Sequence, residues 1–189
     1  HLIPYGKANL LLGVDLLEAA RAIAPSTRQR VGSRHHTAAV VNTHKTPTIL
    51  ALLGKSDFDI NRLEDFLRQH TRATDYFSSD VSEFSERFFG TQLYANIVLL
   101  GAAFQRGLIP LGLASLEQAI QTGLGAAAEA NLKAFNLGRL IAHDPDSERQ
   151  AARSFREPDT CAEVLADKAS ILAGQGPRGK ELAEAYREM

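Results

Sequence analysis

The densest grouping of hydrogen-bonding side chains in this 189-residue chain follows an apolar run: Asn42, Thr43 and His44, continued by Lys45-Thr46-Pro47-Thr48. Such donors suit a phosphate or a carboxylate, and ligands of open α/β sheets bind outside the carboxyl ends of the strands. The plainer reading is a turn whose Asn, Thr and His side chains bond local backbone. Other candidates carry less. His35 and His36 are adjacent, so on a strand they point to opposite faces, and no cysteine or carboxylate stands nearby at zinc-like spacing; a loop entering a strand accounts for them. Cys161 has Asp159 and Glu163 for neighbours, and acidic neighbours do not lower a thiol pKa, so it reads as a packing residue rather than a nucleophile. The pairs Asp57/Asp59 and Glu83/Glu86 fall in polar loops or helix starts, where solvation or capping explains them. No catalytic residue and no metal ligand is assigned.

An absence weighs more than any of these residues. A nucleotide-binding α/β domain opens with a strand, a glycine-rich turn and a helix whose N-terminus receives phosphate. No G-x-G-x-x-G precedes a helix here; the cluster from Gly174 to Gly179 follows no strand and reads as a linker. With one cysteine no intramolecular disulfide can form, which points to a cytoplasmic protein. A formal net charge of -1 gives no general pull toward nucleic acid or acidic membranes. The longest apolar run, Ala95 to Phe104, is far short of the ~20 residues that span a bilayer. No basic stretch followed by an apolar one after His1 suggests a signal peptide.

The elements that must position Asn42, Thr43 and His44 follow from patterning. Ala8 to Val14 is a short apolar run of strand length. Asp15 and Glu18 have capping-box spacing, so Leu16 to Ile23 reads as a helix stopped by Pro25. His36 to Asn42 is a second buried strand. Asn61 and Glu64 suggest a capping box opening a helix to about Arg72, with Leu63, Phe66 and Leu67 on one face. Ala73 to Phe77 is a weaker strand. Asp80 and Glu83 cap a helix from Val81 toward Arg106, with a kink or break expected at Gly90, since glycine costs about 1 kcal/mol inside a helix. Ser115 and Gln118 suggest a fourth capping box, with Leu116 to His143 largely helical. Asn96, Asn131 and Asn136 are amides on these helices that burial would oblige to find partners, Asn96 above all. Asp144-Pro145-Asp146-Ser147 marks a boundary, beyond which Glu163 to Ala173 and Lys180 to Glu188 read as surface helices.

Five segments in order carry a resemblance. They are A-N-L-L-L-G-V-D-L-L-E-A (Ala8 to Ala19), A-V-V-N-T-H-K-T-P-T (Ala39 to Thr48), G-T-Q-L-Y-A-N-I-V-L-L-G-A-A-F-Q-R-G-L-I-P-L (Gly90 to Leu111), S-L-E-Q-A-I (Ser115 to Ile120) and A-E-A-N-L-K-A-F-N-L-G-R (Ala128 to Arg139). Together they resemble the gamma domain of 2-oxoacid:ferredoxin oxidoreductases, nearest to the fused indolepyruvate ferredoxin oxidoreductase type. Ala162 to Glu188 resembles the helical stretch that follows the gamma domain in the fused enzymes. Two departures stand out. The family's glycine-rich strand–turn–helix and further sheet strands are missing before His1, and Phe77 to Phe89 is less apolar than the family pattern.

The resemblance implies an α/β fold with an open three-layer Rossmann-like sheet, truncated at its N-terminal side, and a helix-rich C-terminal half. Residues 1–143 would be the gamma-type domain without its glycine-rich unit, and 144–189 a helical extension toward a following domain. It also implies an enzyme that oxidatively decarboxylates a 2-oxoacid to an acyl-coenzyme A with ferredoxin as acceptor. Thiamine diphosphate, magnesium, iron–sulfur clusters and coenzyme A would serve the parent enzyme, with none bound by this segment, which would be inactive alone. Its partners would be other domains or subunits of the same oxidoreductase, and it could pair with a second copy. Its own work would be interface formation and coenzyme A positioning, at Asn42, Thr43 and His44. Two alternatives stay open: an independent α/β small-ligand or nucleotide-binding module, and a helical adaptor.

Overall fold

A computed structural model describes residues 3–27, 30–54 and 57–144. Three parallel strands form one open sheet in the order β1-β2-β3: β1 (Leu10–Gly13), β2 (Ala38–Asn42) and β3 (Tyr76–Ser79). Leu10 pairs with Ala38, and Asn42 with Ser79. Both apolar runs expected as strands are strands, which removes the adaptor reading.

Crossover helices separate the strands, as parallel pairing requires. The chain runs through α1 (Leu16–Ile23) between β1 and β2, and through α2 (Ile49–Leu52) and α3 (Ile60–His70) between β2 and β3. Then follow α4 (Val81–Phe89), α5 (Ala95–Gln105), α6 (Leu113–Gly123) and α7 (Ala128–His143). Every residue of β2 is buried, so its two faces see different layers. Ala39 and Val41 join Leu16, Ala19, Ala20, Ile23, Leu67 and Tyr76 in a core that α1 and α3 close. Ala38 and Val40 face the opposite layer, where α5 meets β1 and β2 and packs along α7. That arrangement is the three-layer α/β sandwich expected from the resemblance.

Close approach of α5 and α7 depends on two glycines. A Cβ on Gly101 would stand 2.0 Å from the carbonyl oxygen of Phe135, and one on Gly138 would stand 1.8 Å from that of Val98. Each helix thus gives the other's backbone a place that no larger residue leaves open.

The local boundaries correct several expectations. Asp15 and Asp80 do cap, accepting the N–H groups of Glu18 and Glu83 at 2.8 Å each. The reciprocal half of the box is absent: Glu18 turns to Arg21 and Glu83 to Arg87 instead. Asp59, not Asn61, caps α3, taking the N–H groups of Asn61 and Arg62; an aspartate one residue before the first turn outcompetes an asparagine within it. Ser115 caps nothing, because α6 already begins at Leu113 behind Gly112. Ala73–Asp75 is a 3-10 turn, so β3 starts at Tyr76. The long helix expected from Val81 is two: Gly90, at φ +69°, ends α4 in the left-handed region, and a 3-10 turn over Gln92–Tyr94 re-aims the chain into α5. Asn96 and Asn136 are exposed, so of the three helical amides only Asn131 is buried, and it bonds the Ala127 carbonyl at 2.8 Å. Cys161 and the extension 144–189 lie, beyond Asp144, outside the described residues.

Candidate functional site

The sheet places Asn42, Thr43 and His44 together at its carboxyl edge, and local hydrogen bonds sort their roles. Asn42 is 4% exposed and points inward. Its amide nitrogen donates to the Val14 carbonyl at 3.1 Å and to Ser82 Oγ at 2.9 Å, and its oxygen accepts the His44 N–H at 3.2 Å. One side chain therefore ties the end of β1, the start of α4 and the loop after β2. Both its amide hydrogens and one lone pair of its oxygen are used within the fold, and the side chain is buried, so it supports the edge.

Thr43 continues the strand, donating its N–H to the Ser79 carbonyl at 3.0 Å; its side chain is half-buried. His44 then meets Asp80, with Nδ1 3.1 Å from both carboxylate oxygens. The carboxylate fixes a proton on Nδ1 and leaves Nε2 as the outward nitrogen. About a third of each side chain is exposed, so the pair lies at a wetted rim. An imidazole held in this way can accept a proton, or donate one, to a ligand reaching the strand ends.

A second cluster extends the rim. Asp57 accepts the Phe58 N–H at 2.9 Å and the Thr48 hydroxyl at 3.2 Å, and Lys45 Nζ stands 3.4 Å away. Burial pushes the Asp57 carboxyl up, yet the Phe58 and Thr48 hydrogen bonds and the Lys45 ammonium outweigh it and hold the pKa below its ordinary value. Lys45 also lies 5.3 Å from the centre of the Phe58 ring. Beyond this cluster the chain turns into α2, where Ile49, Leu52 and Leu53 are 77%, 74% and 70% exposed.

Asp80 was legible only as a helix cap. Its second role follows from topology: it comes one residue after β3 and His44 two after β2, and neighbouring parallel strands bring both to one edge. His36 Nε2 lies 3.1 Å from Asn9 Oδ1, and His35 lies in the turn before β2. Among the described residues no group of three or more His, Cys, Asp or Glu could hold a metal ion.

A parallel sheet between two helical layers, with a polar, histidine-bearing rim at its strand ends, defines an open α/β domain. The model of the pyruvate ferredoxin/flavodoxin oxidoreductase family matches residues 1–141, and the chain belongs to that family. The match fits a gamma domain of the 2-oxoacid:ferredoxin oxidoreductases, in line with the ordered segments of the sequence. No curated protein and no solved structure matches the chain. Enzymes of this family use thiamine diphosphate and iron–sulfur clusters. A cluster takes about four thiolates, and this chain has one cysteine, so its own donor set does not fit a cluster. Among the described residues no helix is long and apolar enough to cross a membrane.

Proposed function

We propose that the chain is the gamma-type segment of an indolepyruvate-type oxidoreductase and serves it as an interface-forming domain. The observation that carries this reading is the run Ile49, Leu52 and Leu53, three large aliphatic side chains more than two-thirds exposed on one short stretch. Single exposed aliphatics are ordinary, but clustered ones mark contact surfaces. Family membership supplies the occupant: other domains or subunits of the same enzyme. Replacing Leu52 and Leu53 by Asp in the whole enzyme tests it. The expected result is loss of assembly in size-exclusion chromatography with the melting temperature of the isolated chain unchanged. Unimpaired assembly would overturn the interface reading.

The His44–Asp80 pair favours a second role, positioning coenzyme A at the same edge. Thr43 and His44 would meet the ligand, and Asn42 would hold their loop. In this reading the chain performs no redox step; decarboxylation of the 2-oxoacid and electron delivery to ferredoxin belong to other parts of the enzyme. An independent nucleotide-binding module is the alternative, and the missing glycine-rich turn stands against it. A thermal shift of the isolated chain by nucleotides would favour that module, since a ligand at ~100 times its Kd adds roughly 2.7 kcal/mol.

A further inference from the structure

At the opposite, amino-terminal edge of the sheet, two clefts meet at one side chain. The first, about 310 Å³, is lined by Tyr5, Arg30, Ser33, Arg34 and His70 among others. The second, about 540 Å³, is lined by Arg34, His35, Arg68, Gln69, Thr71 and Ala73. Both volumes are in or near the range of small-ligand sites. Arg34 lines both, so Arg30 and Arg34 share the first cleft and Arg34 and Arg68 the second. Among the described residues none of the three forms an ion pair with a carboxylate, whereas Arg21, Arg72 and Arg87 all do.

The charge balance at this edge decides what it can hold. The C-terminal ends of α1 and α3 open here, each equivalent to roughly half a negative charge. Arg68 and His70 lie in the last turn of α3, where a positive charge offsets that helix end. Arg68 further lies 4.7 Å from the centre of the Tyr76 ring, and the nearby Glu64 accepts the Tyr76 hydroxyl at 3.4 Å. Asp75 is taken by Arg72. His70 commits Nδ1 to the Phe66 carbonyl at 2.8 Å, and His35 is exposed in the turn. Arg30 and Arg34 come from the connection between α1 and β2, are exposed, and pair with no carboxylate among the described residues. Two planar forks of N–H donors lining one cleft suit the oxygens of a phosphate group.

We propose that the first cleft at the amino-terminal edge, with Arg30 and Arg34 as principal contacts, binds the diphosphate group of a phosphoanhydride ligand. The exposed ring of Tyr5, in the wall of the first cleft, offers a face for a base where the diphosphate is part of a nucleotide. This site is distinct from the His44 edge, at the far end of the same strands.

Isothermal titration of the 189-residue chain with inorganic pyrophosphate at low ionic strength tests the proposal. The expected result is saturable binding that Arg30→Gln and Arg34→Gln each weaken at least tenfold. Arg21→Gln, at a paired and exposed position on α1, should leave the affinity unchanged. Tighter binding of ADP than of pyrophosphate, with the gain lost in Tyr5→Ala, would assign the nucleotide as source; equal binding would assign the diphosphate alone. No saturable heat would overturn the site, as would equal affinities for wild type and both arginine variants, or an equal loss in Arg21→Gln. Binding of a hexaglutamate peptide more tightly than pyrophosphate would overturn it in favour of an acidic protein surface.

Discussion

His44 Nδ1 stands 3.1 Å from both carboxylate oxygens of Asp80, and one of those oxygens also receives the Glu83 N–H at 2.8 Å. One carboxylate thus begins α4 and fixes the orientation of an imidazole 36 residues earlier in the chain. Removing it therefore affects fold and rim together. Asp80→Ala should lower stability by about 1 kcal/mol, the usual cost of a lost N-cap, and Asp80→Asn by less, because asparagine caps nearly as well. Urea midpoints of the two variants check this ordering.

The α5–α7 contact gives a sharper prediction. Gly101→Ala and Gly138→Ala each drive a methyl group into a partner backbone carbonyl, and backbone cannot yield as a side chain tip does. Each should cost about 3 kcal/mol or more, the upper end of the overpacking range. Because either substitution forces the same two helices apart, the double variant should lose less than the combined single losses. A double-mutant cycle from chemical denaturation measures it.

Tyr76 sets an alkaline limit. Burial, with the Glu64 carboxylate adding to it, pushes its phenol up to about 12 from an ordinary value of 10. The neutral form is favoured in the folded state, so the contribution is fully present below about pH 10. It is lost as pH rises toward 12. Wild-type stability should therefore fall more steeply across that interval than that of Tyr76→Phe. Parallel slopes in urea titrations at pH 9 to 12 would contradict the assignment.

The alternation of strand and helix through β1, α1 and β2 was legible because each apolar run is short and each is followed by a local stop or cap, such as Asp15 and Pro25. The break at Gly90 was legible for the same reason, being a single-residue conformational event. What was not legible depends on competition or on distance. Asp59 and Asn61 both offer a cap, and only the backbone path into α3 decides between them. Asn96 sits in an apolar sequence, yet α5 turns that position to solvent. At the rim, Asn42 looked like a ligand donor because its partners, Val14 and Ser82, lie 28 and 40 residues away. Nothing in a chain of balanced charge distinguishes Arg30 and Arg34 from other arginines; only the folded edge separates them from carboxylates.

Coenzyme A titration of the assembled oxidoreductase tests the central functional claim most directly. Wild-type enzyme and His44→Ala should be compared by calorimetry, with assembly verified for both. The account predicts that His44→Ala binds coenzyme A at least tenfold more weakly while assembling normally. Equal affinity of the two enzymes would contradict it.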